Sequence, residues 1–199
     1  MRMIRLSAKT ENTADKIISS TVDLMSEKGY KAVTIKEIAT AASVSEMTVF
    51  RTFGSKKAIL DAIINSFLSS APIEQLNQKN ITYELEKDLL MISELYHEVL
   101  NRNKEIYLIS IMERKTMPAI HLSLHNNAIK FLTMVTEYFR VMQQKGKVIK
   151  GNPQSQALTL MRFNYGKFIS GLLLEGIASP FPDDNLQESI SIIAKGLQP

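Results

Sequence analysis

The chain has 199 residues, of which 45% are hydrophobic, 22% are charged and none is cysteine. This composition excludes disorder of the whole chain, and the lack of cysteine excludes a disulfide scaffold, a thiolate metal site and a cysteine nucleophile. The sequence holds no apolar run as long as a membrane span, and its basic start has no apolar stretch behind it. We therefore expect a soluble cytoplasmic protein without a membrane partner.

The excess positive charge lies at the N-terminal end. Residues 1–60 hold 10 Lys or Arg and 6 Asp or Glu, whereas residues 61–199 hold 14 residues of each sign. A local basic excess is typical of a surface that binds a polyanion such as DNA, although a difference of four charges is also within counting noise. Arg2, Arg5 and Lys9 precede the first predicted helix, where they form either an arm for a DNA minor groove or a solvated tail.

Four short helices are predicted in the first third of the chain. Gly29 suits the left-handed position that follows the end of the first helix. Thr34, followed three residues later by Glu37, forms a capping box that opens the second helix, and Ser45 is a suitable N-cap for the third. These helices are predicted at residues 12–28, 35–42, 46–53 and 55–70.

Five longer helices are predicted in the remainder, with Pro118 expected to interrupt the helical pattern. The predicted fold is therefore all-α. We expect a first domain over residues 1–54, a linking helix over 55–70 and a second helical domain over 71–199. The five later helices are predicted at residues 82–102, 104–114, 120–144, 154–178 and 184–197.

Residues 34–53 have the spacing of a helix-turn-helix, in which two short helices are joined by a tight turn. Ala39 allows the helices to approach, Val44 fills the turn, and Val49 fixes the second helix from inside. The outward face of the second helix then presents hydroxyl, guanidinium and apolar groups, which suit the reading of base edges in a DNA major groove. An ordinary pair of bundle helices with a solvated outer face is the alternative.

Residues 12–60 resemble the N-terminal DNA-binding domain of the TetR family of bacterial transcriptional regulators. The resemblance is carried by Gly29-Tyr30, by the run TIKEIA at 34–39 and by the run VSEMTVFRTFGSKKAIL at 44–60. It implies that the first domain binds double-stranded DNA and that the second domain receives a signal.

The resemblance also implies roles for individual residues. The hydroxyls of Thr34 and Thr48 would donate to phosphates, and Lys56 would meet a phosphate at the start of the fourth helix. Arg51 would read guanine through O6 and N7, and two apolar side chains of the same helix, Met47 and Phe50, would touch thymine methyl groups. The candidate DNA-binding residues are Thr34, Ser45, Met47, Thr48, Phe50, Arg51, Thr52 and Lys56.

Three positions depart from the family's pattern. Phe50 stands where the family usually has tyrosine, which removes a hydroxyl contact to phosphate. Thr52 stands where histidine or tyrosine is frequent, which shortens the reach of the side chain. Ser43 stands where glycine is frequent, so we expect a strain of about 1 kcal/mol in the turn. These departures leave the operator sequence open.

The predicted helix 154–178 is apolar almost all round, so it must bury two faces. One face can pack in its own core and the other can meet a second copy, as the resemblance also implies for the last two helices of each chain. A two-fold dimer would match a palindromic DNA site, whereas a central helix in a monomeric bundle is the alternative. The candidate interface residues are Phe168, Leu172, Leu173, Ile190 and Ile193.

Methionine and aromatic side chains recur on the middle helices, where they line either a pocket for an apolar or amphipathic small molecule or simply the core. The candidate pocket residues are Met112, Phe131, Met134, Tyr138 and Tyr165. His121 and His125 have a spacing that can ligate zinc, but two ligands do not make a site. We therefore expect no metal and no cofactor.

The sequence as a whole predicts a homodimeric repressor that a small molecule releases from a palindromic operator. A transcriptional activator and a ligand-independent architectural DNA-binding protein are the alternatives. An enzyme in the second domain is a further alternative, and the lack of a nucleotide loop, a nucleophile elbow or paired catalytic carboxylates weighs against it.

Overall fold

All regular secondary structure in the described residues is α-helical, which confirms the all-α prediction. The computed structural model describes residues 12–69, 81–115, 118–174 and 185–199. No helix in these ranges combines the length and the apolar character needed to cross a membrane. The helices are α1 (Thr13–Lys28), α2 (Ile35–Ala41), α3 (Glu46–Phe53), α4 (Lys56–Ser69), α5 (Leu85–Arg102), α6 (Lys104–Met112), α7 (Pro118–Gln144), α8 (Pro153–Leu173) and α9 (Leu186–Leu197).

The chain forms two compact units that do not follow chain order. The first unit spans Met1–Ser70 and Arg102–His125, and the second spans Ala71–Asn101 and Asn126–Pro199. Within the first unit, α4 and α6 lie with the N-terminal helices, whereas the predicted division places residues 102–125 in the second domain. A compact unit is defined by packing and not by sequence order. A boundary predicted from the sequence therefore misses a later helix, such as α6, that packs against an earlier one.

The first unit is built around α1, which packs against α2, α4 and α6. Ile17, Thr21 and Met25 lie three or four residues apart on α1 and are fully buried. They form one stripe of the helix, and the two apolar members pack with Ile38 of α2 and Ile59 of α4 in a single core. Because burying such a side chain stabilises the fold by about 1.5–3 kcal/mol, this core fixes the short helices that could not be stable alone.

Local signals in the sequence set the ends of these short helices. Thr34 and Glu37 form the predicted capping box of α2, and Ser45 accepts a hydrogen bond from the backbone N–H of Thr48 at the start of α3. Gly29 follows α1 with a φ of 77°. Each of these predicted helix signals is confirmed.

The second unit contains buried polar pairs between its helices. Tyr138 of α7 donates from its hydroxyl to Oδ2 of Asp88 on α5 over 3.1 Å. Asn164 of α8 donates from Nδ2 to Oγ of Ser93 on α5 over 3.0 Å. Because an unpaired buried polar group is costly, these bonds fix which faces of α5, α7 and α8 meet.

Several predicted helix ends differ from the structure by a few residues. The helical pattern does break between α6 and α7 as predicted, but Pro118 is the first residue of α7, two residues before the predicted start at 120. Proline is tolerated there since the first turn of a helix leaves its N–H groups unbonded. The helix predicted over 154–178 ends at Leu173 with Leu174 as its C-cap; residues 175–178, like the predicted start of the last helix at 184, lie outside the described residues.

Candidate nucleic-acid interface and ligand cavity

The turn between α2 and α3 is tight and carries backbone strain. The N–H of Val44 donates to the carbonyl oxygen of Ala39 over 2.9 Å, and Val49 is buried on the inner face of α3. Ser43 has a φ of 56°, in the left-handed region that favours glycine. The strain expected at Ser43 is therefore confirmed, and the turn holds α3 at a fixed angle to α2.

The outer face of α3 combines apolar and cationic groups. Met47 is 76% exposed and Phe50 is 50% exposed, and the two lie three residues apart so that they are neighbours on the helix surface. Arg51 and Thr52 are exposed beside them. This arrangement offers a guanidinium for base acceptors and two apolar groups for thymine methyls.

The hydroxyl groups of the candidate interface already take part in hydrogen bonds within the protein. Thr34 Oγ1 donates to Glu37 Oε2 over 2.9 Å, and Thr52 Oγ1 donates to the carbonyl oxygen of Thr48 over 2.8 Å. Ser45 Oγ and Thr48 Oγ1 are 2.9 Å apart and share one hydrogen bond. Since a phosphate only accepts hydrogen bonds, Thr34 and Thr52 must turn their hydroxyl protons outward before they can bind one. Whichever of Ser45 and Thr48 accepts in their shared bond keeps its own proton free.

Lys56, the candidate phosphate ligand on α4, is anchored in the loop between α1 and α2. Its Nζ donates to the carbonyl oxygens of Tyr30 and Val33, both over 2.7 Å, and lies 4.2 Å from the centroid of the Tyr30 ring. Two of its three donors are therefore used inside the protein, and one is left for a phosphate.

The hydrogen bonds at the N-terminus of α2 lower the pKa of Glu37. Its carboxylate accepts from the backbone N–H of Thr34 over 2.9 Å and from Lys28 Nζ over 3.0 Å. These bonds, led by that from the Thr34 backbone, lower the pKa of Glu37 from 4.5 to about 2. The capping box is thus ionised throughout the neutral range.

The second unit contains a cavity of about 1050 Å³. Side chains of α7 supply most of its wall, and Met134 and Tyr138 are the two candidate pocket residues that line it. The same wall carries the exposed cations Lys130 and Arg140, of which Arg140 forms an ion pair with Glu137. The cavity is therefore mainly apolar with charged groups along one helix.

The other three candidate pocket residues do not line this cavity. Met112 belongs to the first unit, and its Cε lies 3.6 Å from the position that a Cβ on Gly29 would take. Phe131 is buried in a stack on Tyr96 with ring centroids 4.5 Å apart. Tyr165 is 41% exposed on α8.

The sequence analysis did not single out two polar residues near the cavity, Asp88 and Thr136. Burial and the charge of Asp88 raise the pKa of Tyr138, so its phenol stays a donor to that carboxylate. Thr136 also lines the cavity, and its buried hydroxyl has no hydrogen-bond partner among the described residues. Asp88 could have been found from the sequence, because it interrupts the apolar stripe that contains Leu85 and Leu89.

The described residues hold no group of three or more His, Asp or Glu side chains that could bind a metal ion.

The five candidate interface residues fall into two groups. Phe168, Leu172 and Ile190 are buried inside their own protomer. Leu173 is 54% exposed and Ile193 is half-buried. Only the second group is therefore available to contact a second copy without a change in the protomer.

Comparisons with known proteins agree with this architecture. A family model described as bacterial regulatory proteins of the tetR family matches residues 17–63. The HTH-type transcriptional regulator YvkB of Bacillus subtilis (strain 168) is 31% identical to this chain over 192 residues, which cover 93% of this chain and 97% of YvkB. The similarity to YvkB therefore extends well beyond the helix-turn-helix.

Two further proteins resemble the chain more distantly. The biofilm operon icaADBC negative transcriptional regulator IcaR of Staphylococcus aureus (strain Newman) is 27% identical over 96 residues, which cover 47% of this chain and 50% of IcaR. The solved structure of the flavonoid-responsive regulator FrrA has the same fold, with a TM-score of 0.64 at 18% identity over 94% of this chain and 97% of that one. The chain therefore belongs to the TetR family of DNA-binding bacterial transcriptional regulators.

Proposed function

We propose that this regulator is a cytoplasmic homodimeric repressor that binds a palindromic operator and is released from it by an apolar or amphipathic small molecule. The observation that carries the proposal is the outer face of α3, where Met47, Phe50 and Arg51 are exposed together on a helix that the core holds rigidly. The similarity to IcaR, which is named a negative transcriptional regulator, supports repression rather than activation of transcription.

In this proposal α3 reads bases and the surrounding groups bind phosphates. Arg51 bonds to guanine O6 and N7, and Met47 and Phe50 contact thymine methyl groups. Phosphates are met by the one remaining donor of Lys56 and by four hydroxyl groups, of which those of Thr34 and Thr52 must first turn their protons outward. The candidate phosphate-binding hydroxyl residues are Thr34, Ser45, Thr48 and Thr52.

The dimer would form through the exposed apolar faces of α8 and α9. Tyr165 and Leu173 on α8 and Ile192 on α9 are 41%, 54% and 68% exposed. Gly166 on α8 and Gly196 on α9 have open space where a Cβ would stand, which permits close approach of a second backbone. A two-fold dimer would place two copies of α3 on successive half-sites of a palindrome.

The effector would bind in the cavity of the second unit. Its volume of about 1050 Å³ is at the upper end of the 300–1,000 Å³ typical for drug-sized ligands, and its wall is mainly apolar. Lys130, an exposed cation on the cavity wall, would orient the polar end of the molecule. To empty an operator from 99% to 1% occupancy, the effector must favour the released state by about 5.5 kcal/mol. The similarity to FrrA, named as flavonoid-responsive, supports a small-molecule signal.

The first test is a binding assay on the DNA that flanks the protein's own gene, with excess competitor DNA present. We expect a retained fragment with a footprint that is a palindrome, and the spacing of its half-sites gives the dimer geometry. Equal binding to the competitor would instead indicate an architectural DNA-binding protein. A specific footprint that raises transcription in vitro would make the protein an activator.

The same retained fragment tests the effector. Small apolar and amphipathic compounds are screened for release of the DNA, and Lys130→Ala and Met134→Ala are expected to change the concentration needed for release without changing DNA affinity. A compound that releases the DNA equally from both variants binds outside the cavity. A compound that the protein converts chemically would revive the enzyme alternative.

A further inference from the structure

The loop at residues 29–33, between α1 and α2, is held by two charged side chains from distant parts of the sequence. Lys56 at the start of α4 donates to the carbonyl oxygens of Tyr30 and Val33. Glu113, the C-cap residue of α6, accepts from the backbone N–H of Tyr30 at Oε1 over 2.9 Å. Lys56 therefore binds two carbonyl oxygens of the loop, and Glu113 binds one of its backbone N–H groups.

The contact between Glu113 and the loop is close and buried. Glu113 is only 9% exposed. Gly29 has a φ of 77°, a backbone conformation that favours glycine, and a Cβ there would be in tight contact with Glu113 Oε1 at 3.1 Å. The helix that carries Glu113 also packs directly on α1. The end of α6 is thus fitted against the residue that ends α1.

The loop leads straight into the helix-turn-helix. Thr34 caps α2 and Glu37 completes the capping box, so α2 begins five residues beyond the amide that Glu113 holds. A hydrogen bond to an ionised carboxylate is shorter and stronger than one between neutral groups. Between Tyr30 and α2 the loop is tied at Val33 by Lys56 and at Thr34 by Glu37, so a shift at Tyr30 is passed toward α2 through a short segment held at both points.

We propose that Glu113 is a positioning residue for DNA recognition, which fixes the loop before α2 and thereby the orientation of α3 relative to α6. Glu113 does not touch DNA in this proposal; it acts through the Tyr30 amide. The proposal rests on the proposed DNA-binding function, and it makes α6 the element to which the helix-turn-helix is fastened.

The first test measures amide hydrogen exchange in the full-length protein by NMR. In Glu113→Ala, the Tyr30 amide should exchange about tenfold faster, because its acceptor is removed, while amides within α1 and α3 keep their exchange rates. In Glu113→Gln the amide stays protected, because the side-chain oxygen can still accept. An unchanged Tyr30 exchange rate in Glu113→Ala overturns the proposal.

The second test measures DNA affinity on the operator fragment. Glu113→Ala should bind about tenfold more weakly, Glu113→Gln within about threefold of the wild type, and the control Glu105→Ala, at the other end of α6, like the wild type. Glu113→Asp withdraws the carboxylate by one methylene and should bind like Glu113→Ala; it serves if the alanine variant does not fold. Wild-type affinity in Glu113→Ala, or equal losses in the alanine and glutamine variants, overturns the proposal.

The two tests separate this inference from the proposed function. If no fragment is retained by the wild-type protein, the proposed function fails, and the exchange rate at Tyr30 still decides whether Glu113 holds the loop. If the wild type binds its operator and Glu113→Ala binds it equally well, the inference alone fails.

Discussion

Arg51 and Lys56 both carry a positive charge in the first unit, but their surroundings differ. Arg51 is exposed on α3, whereas Lys56 is tied to two backbone carbonyl oxygens. We expect Arg51→Ala to lose about 1–3 kcal/mol of operator binding and to bind a scrambled duplex almost as before, because a guanidinium reads bases. Fluorescence anisotropy titrations with both duplexes at several salt concentrations measure this.

Lys56→Ala is the matched comparison for Arg51→Ala. A phosphate contact carries no sequence information, so Lys56→Ala should weaken both duplexes and lower the salt slope by about one. Because Lys56 also holds the loop at residues 29–33, the operator should lose somewhat more than the scrambled duplex, whereas Arg51→Ala affects mainly the operator. Equal losses on operator and scrambled DNA in Arg51→Ala would contradict base reading by Arg51.

Ser43 stores strain that a glycine would relieve. Its φ of 56° costs an ordinary residue about 1 kcal/mol relative to glycine. We expect Ser43→Gly to raise the melting temperature by about 2–4 °C, as 1 kcal/mol does in a protein of this size. Differential scanning calorimetry measures the change, and Ser43→Ala, which keeps a Cβ, should show no such gain. A melting temperature that falls in Ser43→Gly would show that the serine side chain stabilises the turn.

At the scale of an element, the capping box of α2 predicts how stability depends on pH. The pKa of Glu37 is lowered from 4.5 to about 2, so its ionised form is favoured by folding. The stabilisation is fully present above a pH of about 4.5 and is lost as the pH falls toward about 2. We expect wild type to have a higher urea midpoint than Glu37→Gln at neutral pH, with the difference narrowing below pH 4.5.

Glu37→Gln is a sharp comparison because glutamine can also complete a capping box but carries no charge. The difference between the two proteins therefore isolates the carboxylate. A difference in urea midpoint that stays constant across this pH range would contradict the assigned pKa.

The helices of the first unit could be predicted from the sequence because their signals are local. The capping box spans four residues, the cap at Ser45 reaches Thr48, and the stripe on α1 repeats within one helix. The contacts of Lys56 with Tyr30 and of Glu113 with Tyr30 join residues 26 and 83 positions apart, and no periodicity encodes them. The same limit applies to pocket residues, since Phe131 and Met134 share one helix but face the core and the cavity respectively.

At the scale of the whole molecule, the sequence could not tell which apolar face of α8 is internal. Apolar residues lie on more than one side of the helix, so their spacing alone does not identify the internal face. The structure buries Phe168 and Leu172 in the protomer and leaves Tyr165 and Leu173 exposed. A partner chain would therefore contact the exposed stripe that contains Tyr165 and Leu173. Which stripe of α8 is exposed is decided by how α8 packs against its neighbours, and the sequence does not show that packing.

Leu173→Glu tests whether the exposed stripe is the dimer interface. Leu173 is 54% exposed, so the protomer tolerates a charge there, whereas an interface would bury an unpaired carboxylate at a cost of several kcal/mol. We expect Leu173→Glu to sediment as a monomer with an unchanged helical circular dichroism spectrum. The control is Leu122→Glu, a similar change at a site on α7 that is 60% exposed and outside the proposed face, and it should stay a dimer.

The Leu173→Glu monomer should also bind DNA differently, because one protomer holds one α3. It should lose the advantage of two linked half-sites and bind a single half-site as well as it binds the full palindrome. A dimer that persists in Leu173→Glu combined with Ile192→Glu would place the two-fold interface elsewhere on the molecule.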